Sequence, residues 1–266
     1  IRSLILANET QTCESIMNPH VVSVNTQEDQ ETVAQMFSKY NFYALPVVDG
    51  DGRMVGIVTV DDAMDILEAE TTEDMEKMAA ISPSDRPYLS TSPITIWRHR
   101  SPWLLLLMVS ATFTGLVITK FEDALATCTV LMAYIPMLMD TGGNAGSQSS
   151  VTVIRGLSLG EIQFRDAFRV MGKELIVSLL CGLTLAVCNL AKLMVFDGVS
   201  FPVAMVVCLT LLCTVIASKL VGSALPMLAK KVGFDPTVMA SPLITTVVDV
   251  LSLLIYFQTA SVILGL

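Results

Sequence analysis

The chain has 266 residues, is 53% hydrophobic and 15% charged, and carries a formal net charge of −9 at pH 7. So acidic a balance speaks against nucleic acid as a partner and suits a protein that meets cations. The cysteines, Cys13, Cys128, Cys181, Cys188, Cys208 and Cys213, form no CxxC pair, and all but Cys13 sit in apolar blocks. They read as small buried hydrophobes rather than a disulfide framework or a zinc site.

Nothing near the N-terminus reads as a secretory signal peptide. Ile1 in place of an initiator methionine is expected of a piece of a longer protein. Most of the acids fall before about Trp97. Val21 to Val24 reads as a short strand, and Gln30 to Tyr40 has helical spacing with Val33, Met36 and Phe37 on one face. Ala44 to Val48 is a second strand. Asp49-Gly50-Asp51-Gly52 is a hairpin turn, and Met54 to Val58 is the returning strand. Thr59 then introduces a helix carrying Met64, Ile66 and Leu67.

That β-α-β-β-α order, with Ile16-Met17, Leu45-Pro46-Val47-Val48-Asp49 and Gly56-Ile57-Val58-Thr59-Val60-Asp61-Asp62, resembles a CBS motif over about residues 14–70. CBS motifs work in pairs, and Ile1 to Asn8 looks like the tail of a preceding one. Residues 1–70 are therefore expected to be the C-terminal part of a CBS pair. The resemblance implies ATP as a candidate ligand, held by Thr59 and Asp62. A CBS pair that binds no nucleotide is the other reading.

A dense acidic run follows: Asp61, Asp62, Asp65, Glu68, Glu70, Glu73, Asp74 and Glu76, offset locally only by Lys77. On a helix, Asp62, Asp65 and Glu68 share one face, and Glu70, Glu73 and Asp74 another, so like charges repel. A solvated helix face is one reading. Divalent binding is the favoured one, because hard cations want several carboxylate oxygens. Asp62, Asp65, Glu70, Glu73 and Asp74 are accordingly the candidate regulatory metal ligands. Residues 71–101 are expected to form an acidic connecting helix and a linker, Ser/Pro-rich from Ser82 to Pro93.

Residues 102–266 contain five apolar blocks, at roughly 102–120, 124–150, 168–195, 200–228 and 237–264. Each approaches the ~20 residues that cross a bilayer. The expected fold is an α-helical polytopic membrane domain of five transmembrane helices preceded by an α/β CBS motif. Arg98, Arg100, Arg155, Arg165, Arg169, Lys173, Lys230 and Lys231 fall on one side of the spans, and Lys120 and Lys192 on the other. The positive-inside rule then places the N-terminus in the cytoplasm and the C-terminus outside, in a plasma (inner) membrane.

Asp249 stands alone in the apolar run from Val238 to Leu266. A carboxylate at the centre of such a helix costs about 2.5–3.5 kcal/mol on insertion scales and marks an ion or proton pathway. Thr245 and Ser241 fall one and two turns before it on the same face. Tyr134 to Ser150 is the most distinctive string, and it is expected to end the second span. Pro136 removes a backbone donor there. Gly142, Gly143 and Gly146 allow either close helix packing or a loosened backbone that lines a pore, and both can hold together. Asp140 is an entry site or a cap-like contact, Glu122 and Asp123 attract cations at the outer mouth, Lys173 and Glu174 anchor at the interface, and Lys219 snorkels or pairs.

Pro136-Met137-Leu138-Met139-Asp140-Thr141-Gly142-Gly143-Asn144-Ala145-Gly146-Ser147-Gln148-Ser149, with five spans, Asp249 in the last, a CBS motif and an acidic helix, resembles the MgtE family of magnesium channels. The resemblance covers nearly the whole chain. It implies a homodimer in the lipid bilayer with its pore on the two-fold axis, Asp249 of each subunit forming the central Mg²⁺ site, and Asn144 at the pore. Some members carry Asn where this chain has Ser241. The implied function is uptake of Mg²⁺ and related divalent cations, gated by cytosolic Mg²⁺ at the acidic region. Mg²⁺ dehydrates reluctantly, so a pore for the hydrated ion needs one or two carboxylates rather than a closed cage. An ion-coupled carrier for Mg²⁺ or Co²⁺ is the alternative. A CBS-regulated membrane enzyme would need zinc ligands, and His20 and His99 lie outside the apolar blocks with no HExxH; no enzyme is expected.

Overall fold

The computed structural model of the protein describes residues 5–84 and 86–265, without the side chains of Asp123, Ala124 and Ser241. Half of the Ile1–Asn8 tail, and any contact of Asp123 or Ser241, thus lie outside the described residues. The chain clusters into two compact units, Ile1–Thr72 and Glu73–Leu266.

In the first unit a four-residue helix, α1 (Cys13–Ile16), precedes β1 (Val24–Asn25), α2 (Gln30–Tyr40), β2 (Ala44–Val48) and β3 (Met54–Thr59). β1 is shorter than the expected Val21–Val24 because it meets β2 only at Val24↔Val47 and Asn25↔Val48, in parallel register. β2 and β3 pair antiparallel, with a bulge between Val47 and Val48. The hairpin closes through Asp49, whose carboxylate accepts from the N–H of Asp51 at 3.0 Å and of Arg53 at 2.8 Å. Gly52, at φ 77°, takes the left-handed position that a side chain would strain. The Asp29 carboxylate caps α2 by accepting from Thr32 N–H, and Asn41 ends it in left-handed geometry. Val24, Val33, Ala34, Phe37, Leu45 and Ala63 form the core. The helix carrying the acidic run, α3 (Val60–Met78), starts from the end of β3, and the boundary between the two units falls within it.

The second unit is helical. α4 (Pro93–Lys120) begins with Pro93 in its first turn and Ser92 as its cap, the hydroxyl accepting from Thr95 N–H. The short α5 (Glu122–Thr127) and a 3₁₀ turn, Thr129–Tyr134, lead into α6 (Ile135–Ser158). α7 (Ala167–Lys192) runs into a π turn, Leu193–Asp197, closed by Gly198 in left-handed geometry. α8 (Phe201–Val232) is the longest helix, and a 3₁₀ turn, Pro236–Met239, precedes α9 (Ser241–Leu264). Tyr134, Leu138, Val207, Leu211, Leu253, Tyr256 and Phe257 belong to the main core, where α6, α8 and α9 meet. The Tyr256 hydroxyl donates to the Leu131 carbonyl at 3.0 Å, which fixes α9 against the turn that leads into α6.

Among the described residues, four helical stretches are long and apolar enough to cross a membrane: Pro93–Lys120, Phe164–Asp197, Phe201–Val232 and Pro236–Leu264. The expected second span is corrected. Residues 122–134 form α5 and the 3₁₀ turn, and the helix starts only at Ile135 and continues to Ser158. The reason is Pro136. Its missing N–H is harmless in the first turn of a helix and disruptive in the interior, so it marks a start. The glycine-rich string is therefore the body of α6 rather than its end. At 24 residues α6 is about 36 Å long. Its glycines and serines, not its length, keep it from the apolarity of the other four.

Candidate functional site

α6 is helical throughout the glycine string, so the loosened backbone is not observed and close packing is. A Cβ placed on Gly142 would lie 2.7 Å from the Thr214 methyl and 2.9 Å from both Val248 Cγ1 and Ser252 Oγ. One on Gly143 would lie 3.0 Å from the Thr245 methyl, and one on Gly146 2.8 Å from Ile244 Cγ2. On the other side, a Cβ on Gly222 of α8 would overlap the Gly146 carbonyl. Gly146 on α6 meets Ser218 and Gly222 on α8, and Gly142 meets Thr214, so small residues on both helices let the backbones touch.

The same glycines set α6 against α9. Val248 and Thr245 of α9 rest on Gly142 and Gly143, and Asp249 follows next on α9, half-buried. Asp140 lies on α6 one turn before Asn144 and is exposed. The Asn144 amide donates to the Asp140 carboxylate at 3.1 Å. The Thr245 hydroxyl donates to the Pro242 carbonyl at 2.9 Å, which leaves its oxygen free to accept. Asp140 and Asn144 are thus joined on α6, and Gly142 and Gly143 of α6 pack on Val248 and Thr245 of α9, the helix that carries Asp249. Sequence reasoning missed the continuation of the Asp140–Asn144 pair: Gln148 and Thr152, spaced four apart after Asn144, are exposed and extend one polar stripe along α6. The helical period from Asp140 was the available signal.

The candidate regulatory residues are distributed differently. Asp62, Asp65 and Glu70 lie in the first unit, and Glu73 and Asp74 open the second. The Asp62 carboxylate accepts from Thr59 at both the hydroxyl, at 2.5 Å, and the N–H, at 3.2 Å, and so caps α3. Glu70 accepts from the Gln30 amide at 2.7 Å, and Glu73 pairs with Lys77. Asp65 is exposed. Among the described residues, no three His, Cys, Asp or Glu side chains gather where they could hold a metal ion. The first unit also has a cavity of about 320 Å³ lined mainly by apolar and aromatic residues, among them Phe37, Phe42, Tyr43, Ala63 and Leu67.

Two polar networks in the second unit were not expected. Lys77 donates to Asp235, in the loop between α8 and α9, at 2.7 Å, and Asp235 caps the next turn by accepting from Thr237 N–H and hydroxyl. Burial pulls the Lys77 pKa down, but Asp235 and Glu73 outweigh it and carry it above the ordinary 10.5. Burial pushes the Asp235 carboxyl up, and Lys77 and Thr237 outweigh that and hold it below the ordinary 3.8. The second network joins Lys219, Ser149 and Glu174. Lys219 is 5% exposed, so it does not snorkel. Glu174 is not a free interfacial anchor, because it accepts from Ser149 at 2.6 Å.

In chain order a CBS-like unit precedes a helical unit whose helices are long and apolar enough to cross a membrane, the order expected of the family that the sequence resembles. Comparison with known proteins agrees. Residues 135–259 match the MgtE family model, described as divalent cation transporter, and residues 13–69 match the CBS domain. The magnesium transporter MgtE of Thermus thermophilus is 42% identical over 265 residues, covering 99% of this chain and 58% of that protein. Those of Enterococcus faecalis and Bacillus subtilis are 35% and 36% identical, each over 98% of this chain and 57% of the relative. Residues 135–259 match the MgtE family, and the chain spans somewhat over half the length of these relatives. The crystal structure of the cytosolic domain of the Mg²⁺ channel MgtE in complex with ATP is 53% identical over 25% of this chain and 27% of that one, with a TM-score of 0.24.

Proposed function

We propose that the chain conducts Mg²⁺ as a homodimer, with Asp249 of each protomer facing the two-fold axis. The observation that carries this is the close packing of α6 on α9 at Gly142, Gly143 and Gly146, which sets the helix of Asp140 and Asn144 against the helix of Asp249, continued by the exposed polar stripe to Thr152. Unsatisfied polar groups cost several kcal/mol each in hydrocarbon, so such a stripe turns to water or protein rather than to lipid. On a symmetry axis it becomes a hydrated wall, and one carboxylate per protomer becomes two. A pair of carboxylates attracts a divalent ion through its water shell and still lets it leave, as conduction requires.

The remaining assignments follow from charge. Lysines and arginines flanking the spans favour a cytoplasmic N-terminus and an outside C-terminus in the plasma membrane. The acidic run of α3 senses cytosolic Mg²⁺. ATP is the ligand proposed for a complete CBS pair, with Thr59 and Asp62 exchanging their mutual hydrogen bond for contacts to the nucleotide.

The test is Mg²⁺ uptake by the purified chain in liposomes. Asp249→Ala abolishes uptake while leaving a folded dimer. Parent-like flux through a well-folded Asp249→Ala protein contradicts the reading. Uptake that requires an opposing proton or sodium gradient identifies the ion-coupled carrier instead.

A further inference from the structure

Lys219 lies within α8, 5% exposed, in a stretch apolar enough to cross a membrane. Its position follows from the crossing of α6 and α8. Gly146 and Gly222 bring the two backbones into contact, and Ser149 on α6 and Lys219 on α8 sit about one turn to either side of that point. The ammonium donates to the Ser149 hydroxyl at 3.4 Å, and Ser149, 2% exposed, donates to Glu174 of α7 at 2.6 Å. Among the described residues, no ion pair joins Lys219 to Glu174 directly. One hydroxyl therefore links a positive and a negative group across three helices.

Lys219 also lines a cavity of about 480 Å³ between α6, α7 and α8, whose wall includes Asn144 and Gln148 of the polar stripe. The charged end of the network thus adjoins residues assigned to the ion path. A bare carboxylate beside that path would be a second site for a divalent cation. A path that conducts must bind weakly enough to release.

We propose that Lys219 is the tethered counter-charge of Glu174, and that it keeps this intramembrane carboxylate from trapping the permeating divalent cation. The ammonium occupies, through Ser149, the electrostatic place that the cation would otherwise take. Asp249 and Asp140 then remain the carboxylates available to the ion. The role in conduction rests on the proposed function above, whereas the suppression of a cation site at Glu174 can be read without any flux.

The test uses Mn²⁺ as a paramagnetic probe of the purified chain, with binding counted by electron paramagnetic resonance and Mg²⁺ uptake measured in liposomes. Lys219→Met is expected to bind one more Mn²⁺ per chain than the parent and to slow Mg²⁺ uptake several-fold. Lys219→Arg retains the charge and behaves as the parent. Lys219→Met combined with Glu174→Gln returns both readouts to the parent level. A folded Lys219→Met protein with no added Mn²⁺ site, or a double variant that keeps the added site, overturns the proposal. If Lys219→Met does not fold, recovery of monodisperse protein in the double variant supports the counter-charge, and failure of both overturns it. If no variant, the parent included, takes up Mg²⁺, the conduction reading fails, and Mn²⁺ counting still decides the inference.

Discussion

Asp249 stands out in the sequence as a candidate functional residue because a lone charge in an apolar run is costly to place in a membrane. Asp140 was legible only as an entry site or cap-like contact, and the packing of its helix on that of Asp249 was not legible, because register is set by glycines whose neighbours are distant in sequence. Those glycines give a sharp test. A methyl at Gly222 meets the Gly146 carbonyl, which cannot swing aside as a side-chain end could. Gly222→Ala should push α6 from α8 and cost roughly 1–3 kcal/mol, the usual range for overpacking. Gly172, on α7, has nothing within 4 Å of its would-be Cβ. Gly172→Ala should be neutral or stabilising by up to about 1 kcal/mol through helix propensity. Thermal unfolding in detergent should rank Gly222→Ala below the parent and Gly172→Ala at or above it. The reverse order would show that the α6–α8 crossing is looser than the backbone contact implies.

Individual elements were read well where their signals are local. The Asp-Gly-Asp-Gly turn, the α2 periodicity and the apolar blocks each lie within a few residues of what they specify. The second span was misplaced because hydropathy outweighed a better signal, the proline at the start of α6. The Lys77–Asp235 link was invisible because its partners lie far apart in the chain. It ties the end of α3 to the α8–α9 loop within the second unit. Its worth is modest, about 0.2–1 kcal/mol for a pair this exposed. Asp235→Asn should lower the unfolding temperature slightly, and the difference should have a defined pH window. The depressed Asp235 carboxyl contributes fully above the ordinary 3.8 and loses its contribution as pH falls through its lower folded value. The raised Lys77 contributes fully below the ordinary 10.5 and fades only as pH rises through its higher folded value. Unfolding scans of parent and variant should thus differ by a constant amount between these limits. A gap that widened in acid would assign the stabilisation to another group.

At the scale of the molecule, the acidic run poses the question that a single chain leaves open. Composition made α3 a candidate cation sensor, yet no three acids converge among the described residues, and Asp62, Glu70 and Glu73 each already hold a protein partner. On the proposed reading, a divalent ion at these residues draws its further ligands from the rest of the CBS pair or from the second protomer of the proposed dimer. This sets the direction of control. Without Mg²⁺, facing acidic surfaces repel and favour a splayed arrangement; with it, bridged carboxylates favour a compact one. The ion shifts that equilibrium only by its differential affinity for the two states. High cytosolic Mg²⁺ would then close its own entry route. Neutralising Asp62, Asp65, Glu70 and Glu73 together in the full-length protein should preserve Mg²⁺ conduction and abolish its inhibition by cytosolic Mg²⁺. Asp65→Asn alone should weaken inhibition without affecting folding, because Asp65 is exposed and does not cap α3 as Asp62 does. Patch recordings across a range of cytosolic Mg²⁺ read both effects. A quadruple variant that closes at the parent's Mg²⁺ concentration would move the sensor off α3 altogether.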